Sequence, residues 1–145
     1  MPLNKWDQRF MSVARLAATW SKDQDAQVGA VIVDSQGQIA GVGYNGFAKM
    51  VEDTAERYGD NDTKLAMIVH AEENAVLGAM ARARGATIYV TGKPVCARCA
   101  GTIIQAGVTR MVADPPRDKT SKWFRPGEIA IQMMKEAGID FVPSS

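Results

Sequence analysis

The second half of the chain alternates between helical and strand patterns, and a glycine ends each helical pattern. The helical patterns cover residues 70–84, 96–106 and 127–137, and the glycines are Gly85, Gly107 and Gly138. The short strand patterns that follow cover residues 87–91, 109–113 and 139–142. Strands joined through helices run parallel with right-handed crossovers, so the alternation predicts a sheet covered by helices.

The first half adds a helix and a β-hairpin. Apolar residues at three- and four-residue steps predict a helix over 5–20. Two apolar runs, 27–34 and 38–44, flank the turn residues Ser35-Gln36-Gly37 and predict an antiparallel hairpin. Two segments are predicted as loops. They are residues 49–63, with one helical turn as an option, and residues 114–126. The fold class is therefore α/β: a three-layer α/β/α sandwich on a five-stranded mixed sheet, with an antiparallel first hairpin and the other strands parallel.

Length and composition narrow the class of protein. The chain has 145 residues, 46% hydrophobic and 23% charged, as expected for one globular domain over 1–145. Its formal net charge of +1 lacks the basic excess of proteins that bind polymeric nucleic acid, so a small substrate is favoured. No apolar run approaches the roughly 18 residues that span a bilayer. We therefore expect a cytoplasmic protein without a membrane segment.

The chain has one histidine, His70, and two cysteines, Cys96 and Cys99. A C-x-x-C spacing is too tight for a structural disulfide of the secreted kind, which leaves metal binding or a redox dithiol. One imidazole and two thiolates suit zinc, and a structural zinc site normally closes with four such ligands. With only three available, the fourth position falls to a water, whose pKa zinc lowers to about 7.

Glu72 lies two residues after His70, near enough to reach that water without being a ligand. The segment with His70 and Glu72 and the segment with Cys96 and Cys99 both fall at predicted helix starts. Free N–H groups and the helix dipole stabilise thiolates and carboxylates there. The pattern predicts a hydrolytic zinc site in which Glu72 handles protons.

The H-x-E and P-x-C-x-x-C segments resemble those of the zinc-dependent cytidine and deoxycytidylate deaminases. Further segments resemble the deoxycytidylate (dCMP) deaminases in particular: Trp20-Ser21-Lys22-Asp23, 27–33, Gly43-Tyr44-Asn45-Gly46, 70–75 and 103–107. The resemblance implies a cytidine deaminase-like fold and hydrolysis of dCMP to dUMP and ammonia, on the route to dTTP. It implies zinc binding by His70, Cys96 and Cys99, and a role for Glu72 in protonating N3 and the departing amine.

The resemblance also implies substrate-binding residues. They are Ser21, Lys22, Asp23, Asn45 and Ala71, with Lys22 as a phosphate partner. The less favoured alternative for Asn45 is a simple turn former, whereas a solvated surface charge fits Lys22 as well as a phosphate contact does. Trp123 lies in a basic and aromatic stretch that either closes over a phosphorylated pyrimidine or forms a solvated loop anchored by its tryptophan.

Many proteins of this kind are hexamers, activated by dCTP with Mg²⁺ and inhibited by dTTP. The resemblance assigns that regulation to Gly43, Tyr44, Gly46 and Phe47, and it implies a homo-oligomer. Two features depart from the family pattern: Val95 separates Pro94 from Cys96, and Ala48 stands where proline is common.

Four alternatives remain. They are a cytidine or deoxycytidine deaminase, a dCTP deaminase, a tRNA adenosine deaminase and a non-catalytic zinc module that senses nucleotides. The near-neutral net charge disfavours the tRNA adenosine deaminase, which would need a large RNA-binding surface. The presence of Glu72 disfavours the non-catalytic module.

Overall fold

A five-stranded sheet forms the centre of the computed structural model, which describes residues 3–145. In chain order its strands are β1 (Gly29–Val33), β2 (Ile39–Tyr44), β5 (Thr87–Thr91), β6 (Arg110–Ala113) and β7 (Asp140–Pro143). The small strands β3 (Gly46–Phe47) and β4 (Ile68–Val69) form a separate ladder. The helices are α1 (Lys5–Ala18), α2 (Ala55–Gly59), α3 (Asn61–Met67), α4 (Ala71–Ala79), α5 (Ala97–Gln105) and α6 (Phe124–Glu136).

The strand order in the sheet is β2-β1-β5-β6-β7. The hairpin β1–β2 pairs Val31 with Val42, and β1 also runs antiparallel to β5. Strands β5, β6 and β7 are parallel to one another, with Ile88 opposite Met111 and Met111 opposite Phe141. The prediction of an antiparallel hairpin joined to a parallel second half is confirmed.

Alternate residues of β1 face two separate cores. Val31 and Val33 pack under α1 with Met11 and Tyr89. Ala30 and Ile32 point to the other core, which is filled from α4, α5 and α6. Helices therefore cover both faces of the sheet, as predicted for a three-layer sandwich.

Two glycines let helices approach the hairpin closely. A Cβ atom on Gly29 would lie 1.9 Å from the Ala14 carbonyl oxygen in α1. One on Gly43 would lie 2.2 Å from the Ala71 carbonyl oxygen, at the start of α4. Strand β2 can therefore contact the backbone of α4 directly beside His70.

The loop prediction for residues 49–63 is wrong in part. Helix α2 begins after Thr54, whose side chain accepts a hydrogen bond from the Arg57 N–H group at 3.2 Å, and α3 follows at Asn61. These helices have five and seven residues, too few for a sustained apolar period to stand out.

The predicted bounds of two longer helices also need correction. Helix α6 begins at Phe124 rather than Gly127, and it includes Pro126. Proline is tolerated in a first turn because the N–H groups there have no intrahelical partner. Helix α4 ends at Ala79 rather than residue 84, because Met80 has φ 53° and a 3₁₀ turn follows through Ala83.

Within residues 3–145, no helix combines the length and the apolar character needed to cross a membrane.

Candidate active site

His70, Cys96 and Cys99 converge at two neighbouring helix starts. His70 precedes α4, Cys96 precedes α5, and Cys99 lies in the first turn of α5. Their ligand atoms lie within 4.8 Å of one another. The His70 Nδ1 atom is 3.1 Å from the Cys99 Sγ atom and 3.7 Å from the Cys96 Sγ atom. The predicted cluster is therefore assembled by the fold.

The geometry and protonation of this cluster fit zinc. A nitrogen and a sulfur bound to one tetrahedral zinc ion are about 3.6 Å apart, close to the observed separations. Hydrogen bonds from Cys99 and His70 lower the pKa of Cys96 to about 3, while the proton shared with Cys96 raises the pKa of Cys99. Zinc takes the place of such a shared proton when it binds two thiolates. The donor set has the composition and spacing that a zinc ion requires.

Glu72 is 1% exposed, and neither carboxylate oxygen has a hydrogen-bond partner among the described residues. Burial raises the pKa of this carboxyl group above its usual value. A buried polar group without a partner is rare and costly, so its presence points to a molecule that the site binds.

A cavity of about 240 Å³ opens beside His70. Its wall combines apolar side chains with charged groups of both signs. The lining residues are Asp23, Asp25, Ala26, Asn45, Asn61, Lys64, Leu65, Ile68, His70, Lys93, Lys122 and Trp123. The β3–β4 ladder brings the two halves of this wall together, because Asn45 precedes β3 and His70 follows β4.

Asn45 ties the cavity wall to the start of β1. Its Oδ1 atom accepts from the Val28 N–H group at 2.9 Å, and its Nδ2 atom donates to the Ala26 carbonyl oxygen at 2.8 Å. The Ser21 hydroxyl donates to the Asn45 carbonyl oxygen at 2.8 Å and accepts from the Asp23 N–H group. Three predicted site residues, Ser21, Asp23 and Asn45, thus form one buried network.

Lys22 lies apart from that network. Its ammonium group pairs with Asp53 at 2.6 Å in solvent and lines a second cavity of about 480 Å³. The two cavities are neighbours, since Asp25 and Asn61 line both. Among the predicted substrate residues, Lys22 and Ala71 neither line the His70 cavity nor belong to this network.

Trp123 lines the His70 cavity, and two lysines lie near its indole ring. The Lys93 ammonium is 3.7 Å from the indole centroid and the Lys122 ammonium 5.2 Å. Within residues 3–145, neither ammonium is within 4 Å of a carboxylate. Lys93 was not among the predicted site residues, although it immediately precedes Pro94 in the zinc-ligand segment.

The residues assigned to regulation surround another cavity, of about 670 Å³, between β2, β3 and α4. Gly43, Tyr44, Gly46 and Phe47 all line it. Phe47 stacks on Tyr58 of α2 with 4.4 Å between the ring centroids. Ala71, the first residue of α4, is fully buried.

The inserted Val95 is buried in the core, 3% exposed, so the longer turn before Cys96 anchors itself by packing. Lys64 is a second residue that sequence reasoning missed. It directly follows the segment 49–63 that was predicted as a polar loop, and it is 5% exposed. A lone lysine in a polar stretch carries no signal of burial.

The family model of the cytidine and deoxycytidylate deaminase zinc-binding region matches residues 4–114. The chain is 37% identical over 139 residues to an uncharacterized deaminase in the luxG 3′ region of Aliivibrio fischeri, covering 95% of this chain and 92% of that one. It is 40% identical over 114 residues to the deoxycytidylate deaminase of Homo sapiens, covering 74% of this chain. The chain spans 64% of the length of that human relative.

Solved structures share the fold. The dCMP deaminase of cyanophage S-TIM5 superposes with a TM-score of 0.74 at 21% identity, covering 97% of this chain and 98% of that one. RibD of Acinetobacter baumannii gives a TM-score of 0.68 at 29% identity, covering 97% of this chain and 35% of RibD. The matched segment holds the three convergent ligands and the buried Glu72, and the chain therefore belongs to the cytidine and deoxycytidylate deaminase family.

Proposed function

We propose that the chain catalyses the zinc-dependent hydrolytic deamination of dCMP to dUMP, with release of ammonia. The observation that carries the proposal is the buried, partnerless Glu72 carboxylate beside the His70–Cys96–Cys99 cluster. The relatives named deoxycytidylate deaminase support the choice of substrate, as does a cavity flanked by two lysines without carboxylate partners.

In this reaction water adds to C4 of the cytosine and ammonia leaves from the same carbon. His70, Cys96 and Cys99 would hold the zinc ion, which when bound would supply Lewis acidity for activating the attacking water. The Glu72 carboxylate would accept one proton from the attacking water and deliver it to N3. It would then take the remaining proton from the new C4 hydroxyl and pass it to the departing amine, so that both protons of the water are used. Its burial keeps bulk water away from these transfers and raises its pKa toward that of its partners.

The substrate's phosphate would lie against the Lys93 and Lys122 ammonium groups at the rim. Two ammonium groups around one indole repel each other, and an anion between them relieves that repulsion. The base and sugar would then occupy the 240 Å³ cavity, with Asn45 in its wall.

We extend the proposal to regulation and assembly. The 670 Å³ cavity lined by Gly43, Tyr44, Gly46 and Phe47 would take dCTP with Mg²⁺ as activator, or dTTP as inhibitor. Exposed apolar side chains on its rim, among them Leu77 at 70% exposure, support a homo-oligomer, with a hexamer as the expected form. A reducing cytoplasm would keep both thiols available for zinc.

The deciding experiment measures ammonia release from dCMP, deoxycytidine, cytidine and dCTP on protein of known zinc content. Each substrate is tested alone, with dCTP plus Mg²⁺, and with dTTP. Preference for dCMP supports the proposal, and faster deamination of a nucleoside or of dCTP would move the chain to another branch. Lys93→Ala and Lys122→Ala should raise the KM for dCMP but not for deoxycytidine, while the exposed Lys135→Ala changes neither.

A further inference from the structure

Lys64 is a buried cation in the wall of the His70 cavity. Its ammonium donates to the Asp23 carboxylate at 3.2 Å and to the Asp25 carboxylate at 2.8 Å. The side chains of Lys64 and Asp23 are each 6% exposed, whereas that of Asp25 is 79% exposed. Lysine is almost never buried unless it is paired, so this placement depends on the two carboxylates.

Asp23 connects Lys64 to Asn45. One Asp23 oxygen faces Lys64, and the other lies 3.5 Å from the Asn45 Nδ2 atom. The same segment is held by the Ser21 hydroxyl and by the Asn45 bonds to Ala26 and Val28. Lys64 is the one cation in this buried network within residues 3–145.

We infer that Lys64 is a positioning residue for substrate binding: its buried ammonium fixes the wall formed by residues 21–26 and, through Asp23, the orientation of Asn45. This inference rests on the proposed dCMP deaminase function. Glu72 and Cys99 lie in α4 and α5, and Cys96 lies directly before α5. The ammonium of Lys64 is instead hydrogen-bonded to Asp23 and Asp25. Its loss should therefore weaken substrate binding more than it slows the chemical step.

The contacts favour positioning over direct binding of phosphate by Lys64. Its charge is already balanced by two carboxylates, whereas the Lys93 and Lys122 ammonium groups at the same cavity have no such partners among the described residues. Removing Lys64 would leave Asp23 as a buried carboxylate without its cation, which disturbs the wall around it.

The test compares kcat and KM for dCMP in Lys64→Met, Lys64→Arg and the wild type, each with measured zinc content. Lys64→Met should raise KM about tenfold or more, change kcat less than about threefold and retain zinc. Lys64→Arg keeps a cation and should bring KM back to within about threefold of the wild type. Arg82→Met, which removes the cation of an ion pair with Asp34 outside the cavity, is the matched control and should change neither constant.

A purely structural role would give a different result, because loss of folded protein lowers kcat and leaves KM unchanged. That pattern, or an unchanged KM in Lys64→Met, would overturn the inference. If Lys64→Met does not fold, Asp25→Asn removes the 2.8 Å partner at an exposed position and should still raise KM measurably. An unchanged KM in Asp25→Asn would then refute the inference.

Calorimetry of dCMP binding in a Glu72→Gln background separates this inference from the function on which it rests. Weaker binding on adding Lys64→Met supports positioning, and equal binding contradicts it. If zinc-loaded wild type neither binds nor deaminates dCMP, the proposed function fails and the inference fails with it.

Discussion

Glu72 shows what a single residue contributes to this site. Its carboxylate is buried at 1% exposure without a hydrogen-bond partner among the described residues. Burying such a group costs free energy, and proteins retain it where a bound molecule supplies the missing partner. The free-energy cost of burying the Glu72 carboxylate therefore indicates a role in binding or catalysis rather than in packing.

Replacing Glu72 with glutamine should separate proton transfer from metal binding. Glu72→Gln should retain its zinc and lose about 10²- to 10⁴-fold in kcat, because the amide cannot accept and return a proton. Metal analysis and ammonia release on the same preparation check both halves. The exposed Glu136→Gln is the control, and activity within tenfold of the wild type in Glu72→Gln would contradict the assigned role.

At the scale of single residues, the sequence is most informative where the chemistry depends on rare residue types. The chain has one histidine and two cysteines, so His70, Cys96 and Cys99 were predicted to form a cluster, and the fold brings these three side chains together. Lys64 and Lys93 were missed, since a lysine in a polar segment is normally solvated and only tertiary contacts distinguish these two. Asn45 was identified, but its hydrogen bonds to the backbone before β1 were not.

At the scale of elements, the packing of α4 on β2 depends on glycine. Gly43→Ala would place a Cβ atom 2.2 Å from the Ala71 carbonyl oxygen, so the start of α4 must move. We expect a loss of about 1–3 kcal/mol in the free energy of unfolding, together with weaker zinc binding because His70 moves with the helix. Denaturant unfolding and zinc titration measure these effects.

The control for this substitution is Gly101→Ala in α5, whose Cβ atom would lie 3.8 Å from the Met133 Cε atom. Alanine is favoured over glycine in helices, so this variant should be as stable as the wild type or more stable by up to about 1 kcal/mol. Equal stability of Gly43→Ala and Gly101→Ala would contradict the close-packing argument.

Helix bounds were harder to predict than helix existence. Pro126 suggested a loop up to Gly127, yet α6 already begins at Phe124, because a first-turn proline forfeits no hydrogen bond. The alanine-rich run after His70 predicted one helix to residue 84, whereas Met80 turns the chain so that Ala83 and Ala86 are buried on the way into β5. Local helix propensity carries no information about such tertiary packing.

At the scale of the whole molecule, a buried ion pair ties α1 to the sheet. Asp7 accepts two hydrogen bonds from the Arg110 guanidinium, at 2.9 and 2.8 Å, and one from the Tyr89 hydroxyl at 2.8 Å. These partners are 103 and 82 residues away along the chain. The Arg110 guanidinium is the main cause that holds the pKa of Asp7 below its usual value.

That lowered pKa predicts a pH-dependent contribution to stability. An Asp whose folded pKa is depressed stabilises the protein above its unfolded pKa of about 3.9, and the contribution is lost as pH falls through the folded value. Near pH 7 the free energy of unfolding of Asp7→Asn should therefore be about 2–4 kcal/mol lower than that of the wild type. This difference should narrow below about pH 4. Denaturant unfolding across that range is the measurement, with Asp62→Asn as an exposed control; a constant difference would refute the argument.

Zinc removal should also act on the whole molecule. The three ligands join the starts of α4 and α5, so a bound ion stabilises the native state by mass action. Chelation should lower Tm by several degrees, and added zinc should restore it. Cys96→Ser should begin with a low Tm and respond to neither treatment. A Tm that chelator leaves unchanged in zinc-loaded wild type would contradict a structural contribution from the metal.

The two-residue ladder of β3 and β4 has a consequence for protein engineering. Gly46 pairs with Val69, so the chain leaves this ladder after Phe47 and returns to it at Ile68 through adjacent positions. Residues 48–56, between those positions, are all exposed. Doubling the length of a flexible loop costs only about 0.6 kcal/mol, and here the ladder already holds the loop ends together. The tip around Met50 is thus an insertion point for a peptide tag or a reporter domain, with His70 and Asn45 kept in register beneath it.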